Sequence, residues 1–320
     1  MDWLVERIRE ALAGVEGGVD GGELLAEEGF VSRVVATRDC LPIVAAERGL
    51  RTVFVDGGEA VLFESASSCA GVLRVAVVVF LGGRRVEVKR RDVFAFVQLS
   101  EKHVYDVFFF PNVGVRVSFP LQEGGGARSS PAKVFGLARF ALELFFLGRE
   151  RGDVLVRDGG LRGVSEAEDA VISPLVREGM VGVAKTNSWV SKEGKAFSSV
   201  LLALQDGAWW VEDVLIPRKD GLVRVHAARL HEASSYVLRL ESAGKVSQEF
   251  LELLAFLSRD PVFLGYPYPL IVADTFARVA VREKEVLRRK LMARLGRDWR
   301  KLQGLLASKD AHSVLDTMRF

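Results

Sequence analysis

The sequence predicts an α/β protein in which helices flank a mixed sheet that a β-meander extends. Two observations lead to this fold class. Residues 51–110 contain successive strand-like runs rich in β-branched residues, and from residue 132 onward helix-like and strand-like patterns alternate. A meander followed by alternating elements is typical of a mixed sheet covered by helices, and differs from a doubly wound parallel sheet.

The first 48 residues are predicted to form a helical N-terminal segment. Apolar residues recur at helical spacing within residues 2–14, at Leu4, Val5, Ile8, Ala11 and Leu12. A helix with one apolar face needs a surface to cover it, so this face is a candidate dimer contact. Residues 49–320 are predicted to form the main domain.

The meander is predicted from strand-like runs separated by glycine pairs, which are typical of hairpin turns. The predicted strands are 52–55, 60–64, 72–81, 86–89, 93–99 and 104–110. Residues 121–131 are rich in glycine and serine and end in proline. They are predicted to form a flexible insertion at the surface.

Helices and strands then alternate. A long apolar stripe predicts a helix over 132–150, and the strand-like run after it ends at Asp158. The later predicted elements are a helix at 165–178, a strand at 180–184, a short amphipathic segment at 197–204, strands at 222–229 and 236–240, and helices at 247–258 and 268–295.

Composition limits the class of protein more than its function. The 320 residues are 49% hydrophobic and 27% charged, a normal globular balance, and the net charge is only +2, so an anionic partner would need local basic patches. Cys40 and Cys69 have neither metal-ligand nor disulfide-scaffold spacing and are expected to be buried, which fits a reducing cytoplasm. No signal peptide or membrane span is expected. Two Asn and five Gln weakly indicate a thermophilic source.

The chemistry is indicated by a repeated tripeptide. Asp-Gly-Gly ends two apolar strand-like runs, at Asp56 and at Asp158. A carboxylate at a strand end, followed by residues without side chains, is expected to leave room for a metal ion or a phosphate. Carboxylate oxygens suit Mg²⁺ or Mn²⁺, and two such ions about 4 Å apart support phosphodiester cleavage. For Asp56 alone, a simple turn residue is an equal alternative.

Other candidates follow along the chain. Glu143 lies in a very apolar stretch of the 132–150 helix, either at its solvent edge or turned inward for a purpose. Lys185, at a predicted strand end, could neutralise a scissile phosphate or simply be solvated. Tyr266 could stack on a base or bond a phosphate, with Asp274 on the same helix, or both could belong to a packed helix entry.

Four motifs, in this order, resemble the NurA nucleases of archaea and some bacteria: Val55–Gly58, Arg157–Leu161, Gly182–Thr186, and Gly265–Leu270 with Ala273-Asp274. The resemblance implies an RNase H-like core and a Mn²⁺- or Mg²⁺-dependent nuclease that degrades DNA from 5′ ends and cuts single strands. It also implies a homodimer that works with the hexameric ATPase HerA in DNA end resection for double-strand break repair.

The resemblance also implies residue roles. Asp56, Glu143 and Asp158 would be metal ligands. We add Asp274 as a fourth ligand, with Lys185 and Tyr266 orienting the DNA strand. The chain departs from the family at two positions: Gly58 stands where the family usually has serine, and Asp274 where some members have a metal-binding histidine.

Alternatives come from other classes of protein. The chain could be a non-catalytic partner that clamps DNA or docks on an ATPase ring. A nucleotide-binding domain of the sugar-kinase and actin type would need a second glycine-rich phosphate turn, which the sequence does not supply. Basic clusters at 89–91 and at Arg282 with 288–290 could contact phosphates. His312 and Asp316, four residues apart, could join a site or belong to a surface helix.

Overall fold

The computed structural model describes residues 1–13, 21–123, 128–185, 188–218, 221–299 and 301. His312 and Asp316 therefore lie outside the described residues. The helices are Asp2–Ala13 (α1), Pro131–Leu147 (α2), Glu166–Ile172 (α3), Phe197–Leu204 (α4), Gln248–Phe256 (α5), Tyr268–Ala277 (α6) and Val281–Leu295 (α7).

The strands form one large sheet and one small one. They are Gly21–Glu23 (β1), Phe30–Ser32 (β2), Val34–Ala36 (β3), Leu41–Pro42 (β4), Arg51–Glu64 (β5), Ser68–Leu81 (β6), Arg84–Leu99 (β7), Val104–Phe110 (β8), Val117–Pro120 (β9), Val154–Asp158 (β10), Met180–Ala184 (β11), Trp209–Pro217 (β12), Val223–Arg229 (β13) and Leu238–Ala243 (β14).

The large sheet is mixed, as predicted. Its 12 strands run in the order β2-β12-β13-β14-β11-β10-β5-β6-β7-β8-β9, and β4 adds to β12. Strand β10 pairs in parallel with both β5 and β11, whereas the meander β5 to β9 is antiparallel. The centre of the sheet is therefore a parallel trio, and both flanks are antiparallel.

Helices cover both faces of the sheet. On one face, α2 packs on the β5 residues Val53 and Val55 in a buried apolar cluster. On the other face, α5 and α6 pack on Phe54 of β5 and Val156 of β10 in a second cluster. Because side chains alternate along a strand, odd and even residues of β5 face different helices.

The structure corrects the predicted start of the meander. Residues 51–64 form one continuous strand of 14 residues, so Asp56 lies inside β5 and not at a strand exit. Gly57 and Gly58 pair with Val75 and Arg74 of β6 instead of forming a turn. Glycine does not break this strand because a neighbouring strand supplies its hydrogen-bonding partners. Similarly, the predicted strands at 86–89 and 93–99 are one strand, β7.

Two helical predictions were also wrong in part. The helix predicted at 268–295 is two helices, because the chain leaves helical geometry at Arg278 and Ala280. The Arg278 carbonyl instead accepts a hydrogen bond from Arg74 Nη1 at 3.0 Å. Among the described residues of the N-terminal segment, α1 is the only α-helix, and Thr37–Asp39 form one 3-10 turn. Strands β2 and β4 of that segment join β12 in the large sheet.

Several elements match the prediction closely. Helix α2, strand β11 and helix α4 lie where the periodicity places them. Both cysteines are buried. Among the described residues, no helix is long and apolar enough to cross a membrane.

The predicted flexible insertion is anchored on both sides. Residues 124–127 lie outside the described residues, but Gln122 and Arg128 form a bridge across them. Glu123 accepts hydrogen bonds from Ser129, Lys133 and Ser165. These charge-assisted bonds, that from Lys133 foremost, lower the pKa of Glu123 to about 2. The start of α2 is thus tied to this connection.

Candidate active site

Asp56 and Asp158 lie side by side on neighbouring parallel strands. Arg157 of β10 is in register with Val55 of β5, so the next residue on each strand is one of the two aspartates. Both follow residues that face α2, and they therefore point to the face covered by α6. The structure brings the two Asp-Gly-Gly aspartates together, as the sequence predicts.

Two further predicted residues hold the Asp158 carboxylate. Lys185 Nζ lies 2.8 Å from Asp158 Oδ2, and the Tyr266 hydroxyl donates to Asp158 Oδ1 at 2.8 Å. The Lys185 ammonium also lies 4.8 Å from the centre of the Tyr266 ring, a cation–π contact. Burial, and then the charge of Asp158, raises the pKa of Tyr266, so its hydroxyl stays protonated and acts as a donor.

Asp56 is the less satisfied of the two carboxylates. The residue is 8% exposed, and the one hydrogen bond that its carboxylate accepts from the described residues comes from Gly57 N–H to Oδ1 at 2.7 Å. Burial, then the charges of Glu143 and Asp158, raise the pKa of Asp56 to about 7. A buried carboxyl beside other carboxylates and with an oxygen to spare is suited to a cation.

Glu143 approaches from the α2 side, against Gly57. It is fully buried, and its carboxylate is held by two arginines: Arg139 Nη1 lies 2.8 Å from Oε1, and Arg157 Nε lies 2.7 Å from Oε2. The sequence left two placements open for Glu143, the solvent edge of the helix or the interior, and the structure places it in the interior. Its role as a metal ligand stays a prediction.

Asp274 lies on α6, near Tyr266. Its carboxylate pairs with Arg278 at 2.8 Å, and its charge contributes to the raised pKa of Tyr266. Within the described part of the chain, no three or more His, Cys, Asp and Glu side chains form a group that could hold a metal ion. Asp56 and Asp158 are thus a two-carboxylate centre, and Glu143 and Asp274 lie at its margins.

The glycines of the repeat do not leave open space, contrary to prediction. A Cβ on Gly57 would lie 2.9 Å from Glu143 Cδ and closer still to Oε1, and a Cβ on Gly160 would lie 2.9 Å from Glu241 Oε2. At Gly58 the neighbour is the last turn of α6: a Cβ would lie 2.8 Å from the Ala277 carbonyl carbon. The space beside each of these glycines is therefore filled by protein atoms and is not open to a phosphate.

Replacing Gly58 with alanine should destabilise the fold by about 1–3 kcal/mol. The new methyl group would overlap the Ala277 carbonyl, which is backbone and cannot rotate away. Urea unfolding measures the change. The control is Gly136→Ala in α2, where the nearest atom to a Cβ is 3.8 Å away and alanine should stabilise the helix. Equal stability of Gly58→Ala and wild type would contradict this packing.

The two basic clusters are both exposed at least in part. In the 89–91 cluster, Lys89 pairs with Glu150 at 2.7 Å and Arg91 lies over the Phe146 ring, but Arg90 and Arg91 are exposed. The α7 cluster is exposed at Arg282, Arg288, Arg289 and Lys290. Both clusters are therefore candidates for phosphate contacts.

Sequence reasoning missed Arg139, Arg157 and Glu241. Arg139 stands four residues before Glu143, the spacing of a helical ion pair, and this spacing was the available signal. A charge within an apolar strand was the signal for Arg157. Glu241 accepts from Leu161 N–H at 2.6 Å, a contact between distant segments that has no sequence signature.

Two solved NurA structures have a fold similar to that of this chain. The NurA nuclease from Sulfolobus solfataricus matches with a TM-score of 0.55 at 13% identity, covering 93% of this chain and 97% of that one. Another NurA crystal structure matches at 0.52 and 8% identity, covering 92% and 97%. No family model and no curated protein matches the sequence. The likeness confirms the predicted fold, an RNase H-like mixed sheet flanked by helices.

Proposed function

We propose that this chain is a metal-dependent DNA nuclease of the NurA type, a hydrolase of phosphodiester bonds. The observation that carries the proposal is the pair of Asp56 and Asp158 on parallel strands, with Lys185 and Tyr266 bonded or stacked beside it. The NurA structures of the same fold add support, although their low identity supports the fold and not the individual residues.

The donor set fits Mn²⁺ or Mg²⁺, which prefer carboxylate oxygens. Asp56 and Asp158 would bind the cation, and Glu143 and Asp274, which do not group with them in the structure, would have to move toward them to complete its ligands. When bound, such a cation supplies activation of the attacking water and stabilisation of the charge that develops on the leaving oxygen.

The other residues act on the substrate and on the carboxylates. The Lys185 side chain is 47% exposed, so its ammonium can leave Asp158 to neutralise a phosphate of the bound strand. Tyr266 holds the Asp158 carboxylate in place through its hydroxyl. The exposed arginines of α7 would bind the DNA backbone at a distance, so binding should weaken as salt rises.

We extend the proposal to the polarity of cleavage, the cell compartment, the partner and the oligomeric state. The protein would degrade DNA from 5′ ends and cut single strands in the cytoplasm, working with a HerA-type hexameric ATPase in end resection. It would be a homodimer. The meander offers an apolar surface for this, because Phe94, Phe108 and Phe110 are 44%, 48% and 59% exposed on neighbouring strands.

A digestion assay tests the proposal. Wild type should degrade single-stranded and duplex DNA when Mn²⁺ is added and not in excess chelator, and Asp158→Asn should lose this activity while remaining folded. Asp206→Asn, at an exposed position, is the matched control. Undiminished digestion by folded Asp158→Asn would refute the assignment of Asp158 as a metal ligand. A wild type that binds DNA but never cleaves it would instead favour the non-catalytic DNA-clamping partner.

A further inference from the structure

A chain of hydrogen bonds links the two Asp-Gly-Gly segments on the face of the sheet that α2 covers. Arg139 Nη1 donates both to the Gly57 carbonyl and to Glu143 Oε1, at 2.8 Å each. Arg157 donates through Nε to Glu143 Oε2 at 2.7 Å and through Nη1 to the Gly160 carbonyl. We call Arg139, Glu143 and Arg157 the arginine bridge.

We propose that Arg139 and Arg157 are positioning residues, which set the separation of Asp56 and Asp158 by holding the backbone that follows each of them. The inference rests on the proposed function. Arg139 donates to the carbonyl of Gly57, the residue after Asp56. Arg157 donates to the carbonyl of Gly160, two residues after Asp158. Glu143 accepts a hydrogen bond from each arginine and so joins them. Neither arginine needs to touch DNA or a cation for this role.

The glycines of both repeats fit the arginine bridge. A Cβ on Gly57 would collide with the Glu143 carboxylate, and a Cβ on Gly159 would lie 2.7 Å from Arg157 Nη1. Gly159 also has φ of +113°, which glycine adopts without strain. The bridge thus gives a physical reason for the first glycine of each tripeptide, Gly57 inside a strand and Gly159 after a strand end, because each lies against one member of the bridge.

Stability alone accounts poorly for such a group. Glu143 is fully buried and the Arg157 side chain is 7% exposed, so both ions lose most of their hydration. Buried ion triads are often no more stable than apolar side chains of the same volume. The arginine fork, however, fixes direction and distance at two acceptors at once. Geometry is therefore what the bridge supplies best.

Arginine-to-lysine variants test the proposal, because lysine keeps the charge but cannot span two acceptors with a planar fork. Arg157→Lys and the less buried Arg139→Lys should bind Mn²⁺ alone about 10-fold to 100-fold more weakly by calorimetry, without DNA. Their kcat for DNA cleavage should fall by a similar factor, while KM for DNA stays within about threefold because no DNA contact is removed.

The matched control is Arg33→Lys. Arg33 also bonds one carboxylate, Asp39, and two carbonyls, those of Glu212 and Asp213, but away from the candidate site. The Arg33→Lys variant should therefore have the Mn²⁺ affinity and the kcat of wild type. Thermal unfolding sets the assay temperature, so that every variant is compared fully folded.

The outcomes separate the two proposals. Folded Arg157→Lys and Arg139→Lys with wild-type Mn²⁺ affinity and kcat would overturn the positioning role and leave the nuclease intact. A wild type that binds Mn²⁺ but does not cleave would overturn the nuclease, whereas the Mn²⁺ affinities of the variants would still decide the positioning role. A wild type that binds no Mn²⁺ would overturn both.

Discussion

Replacing Asp56 with asparagine should lower the rate of DNA cleavage on the order of 10³-fold and should stabilise the cation-free fold at the same time. The first effect follows because an amide is a poor ligand for a hard cation, and loss of several kcal/mol of transition-state stabilisation corresponds to such a factor. The second follows because asparagine removes a carboxylate that is buried beside the negative charges of Glu143 and Asp158.

The stabilisation should depend on pH in a defined direction. The pKa of Asp56 is about 7 in the folded protein, against about 3.9 for an unfolded aspartate. Between these values the folded state binds the proton more tightly, so the free energy of unfolding of wild type falls as pH rises. Asparagine does not titrate. Asp56→Asn should therefore match wild type near pH 4 and exceed it by about 2–4 kcal/mol above pH 7.

Urea unfolding in excess chelator at pH 5 and pH 8 measures this difference, with Asp206→Asn as the exposed control. A gain that is equal at both pH values would contradict the raised pKa. Full cleavage activity in Asp56→Asn would remove Asp56 from the chemistry.

Replacing Arg74 with methionine should destabilise the fold by about 1–3 kcal/mol, because the Arg278 carbonyl and the partly exposed carboxylates of Asp92 and Glu283 lose their charged donor. The Arg74 side chain is 2% exposed and bonds Asp92 at 2.7 Å, Glu283 at 2.5 Å and the Arg278 carbonyl at 3.0 Å. It therefore joins β6 to β7, to the end of α6 and to the start of α7.

Chemical denaturation measures the loss. Lys192→Met is the control: its ammonium pairs with Glu23 at 2.7 Å, but its side chain is 51% exposed, so removal should change stability by less than about 1 kcal/mol. A loss in Arg74→Met no larger than that in Lys192→Met would show that solvent compensates Asp92 and Glu283.

The sequence predicted the parts of the fold that depend on local periodicity. Helix α2 and strand β11 follow from apolar spacing, which the structure preserves because each element buries one face. The sequence did not predict that β5 runs unbroken from Arg51 to Glu64, because the glycines at 57 and 58 have the local preferences of a turn. Only pairing with Val75 and Arg74 of β6, which is non-local, makes them strand residues.

The candidate site was predictable to a similar extent. Asp56, Asp158, Lys185 and Tyr266 do meet, because parallel strand register and the path of the chain bring their segments together. The environment of Glu143 was not predictable, since it depends on Arg157 from another element and on the space at Gly57. Likewise, no helix-breaking residue marks the break between α6 and α7, where the Arg278 carbonyl accepts a hydrogen bond from the distant Arg74.

The unequal placement of the two aspartates has a consequence for local opening. Asp56 lies in the middle of a 14-residue strand that is paired with β6 along its length, whereas Asp158 is the last residue of the five-residue β10. Strand ends open at lower free energy than paired strand centres. Loss of pairing at this end of β10 would therefore displace Asp158 while Asp56 stays paired within β5, so the geometry of the candidate site is less robust than the fold that carries it.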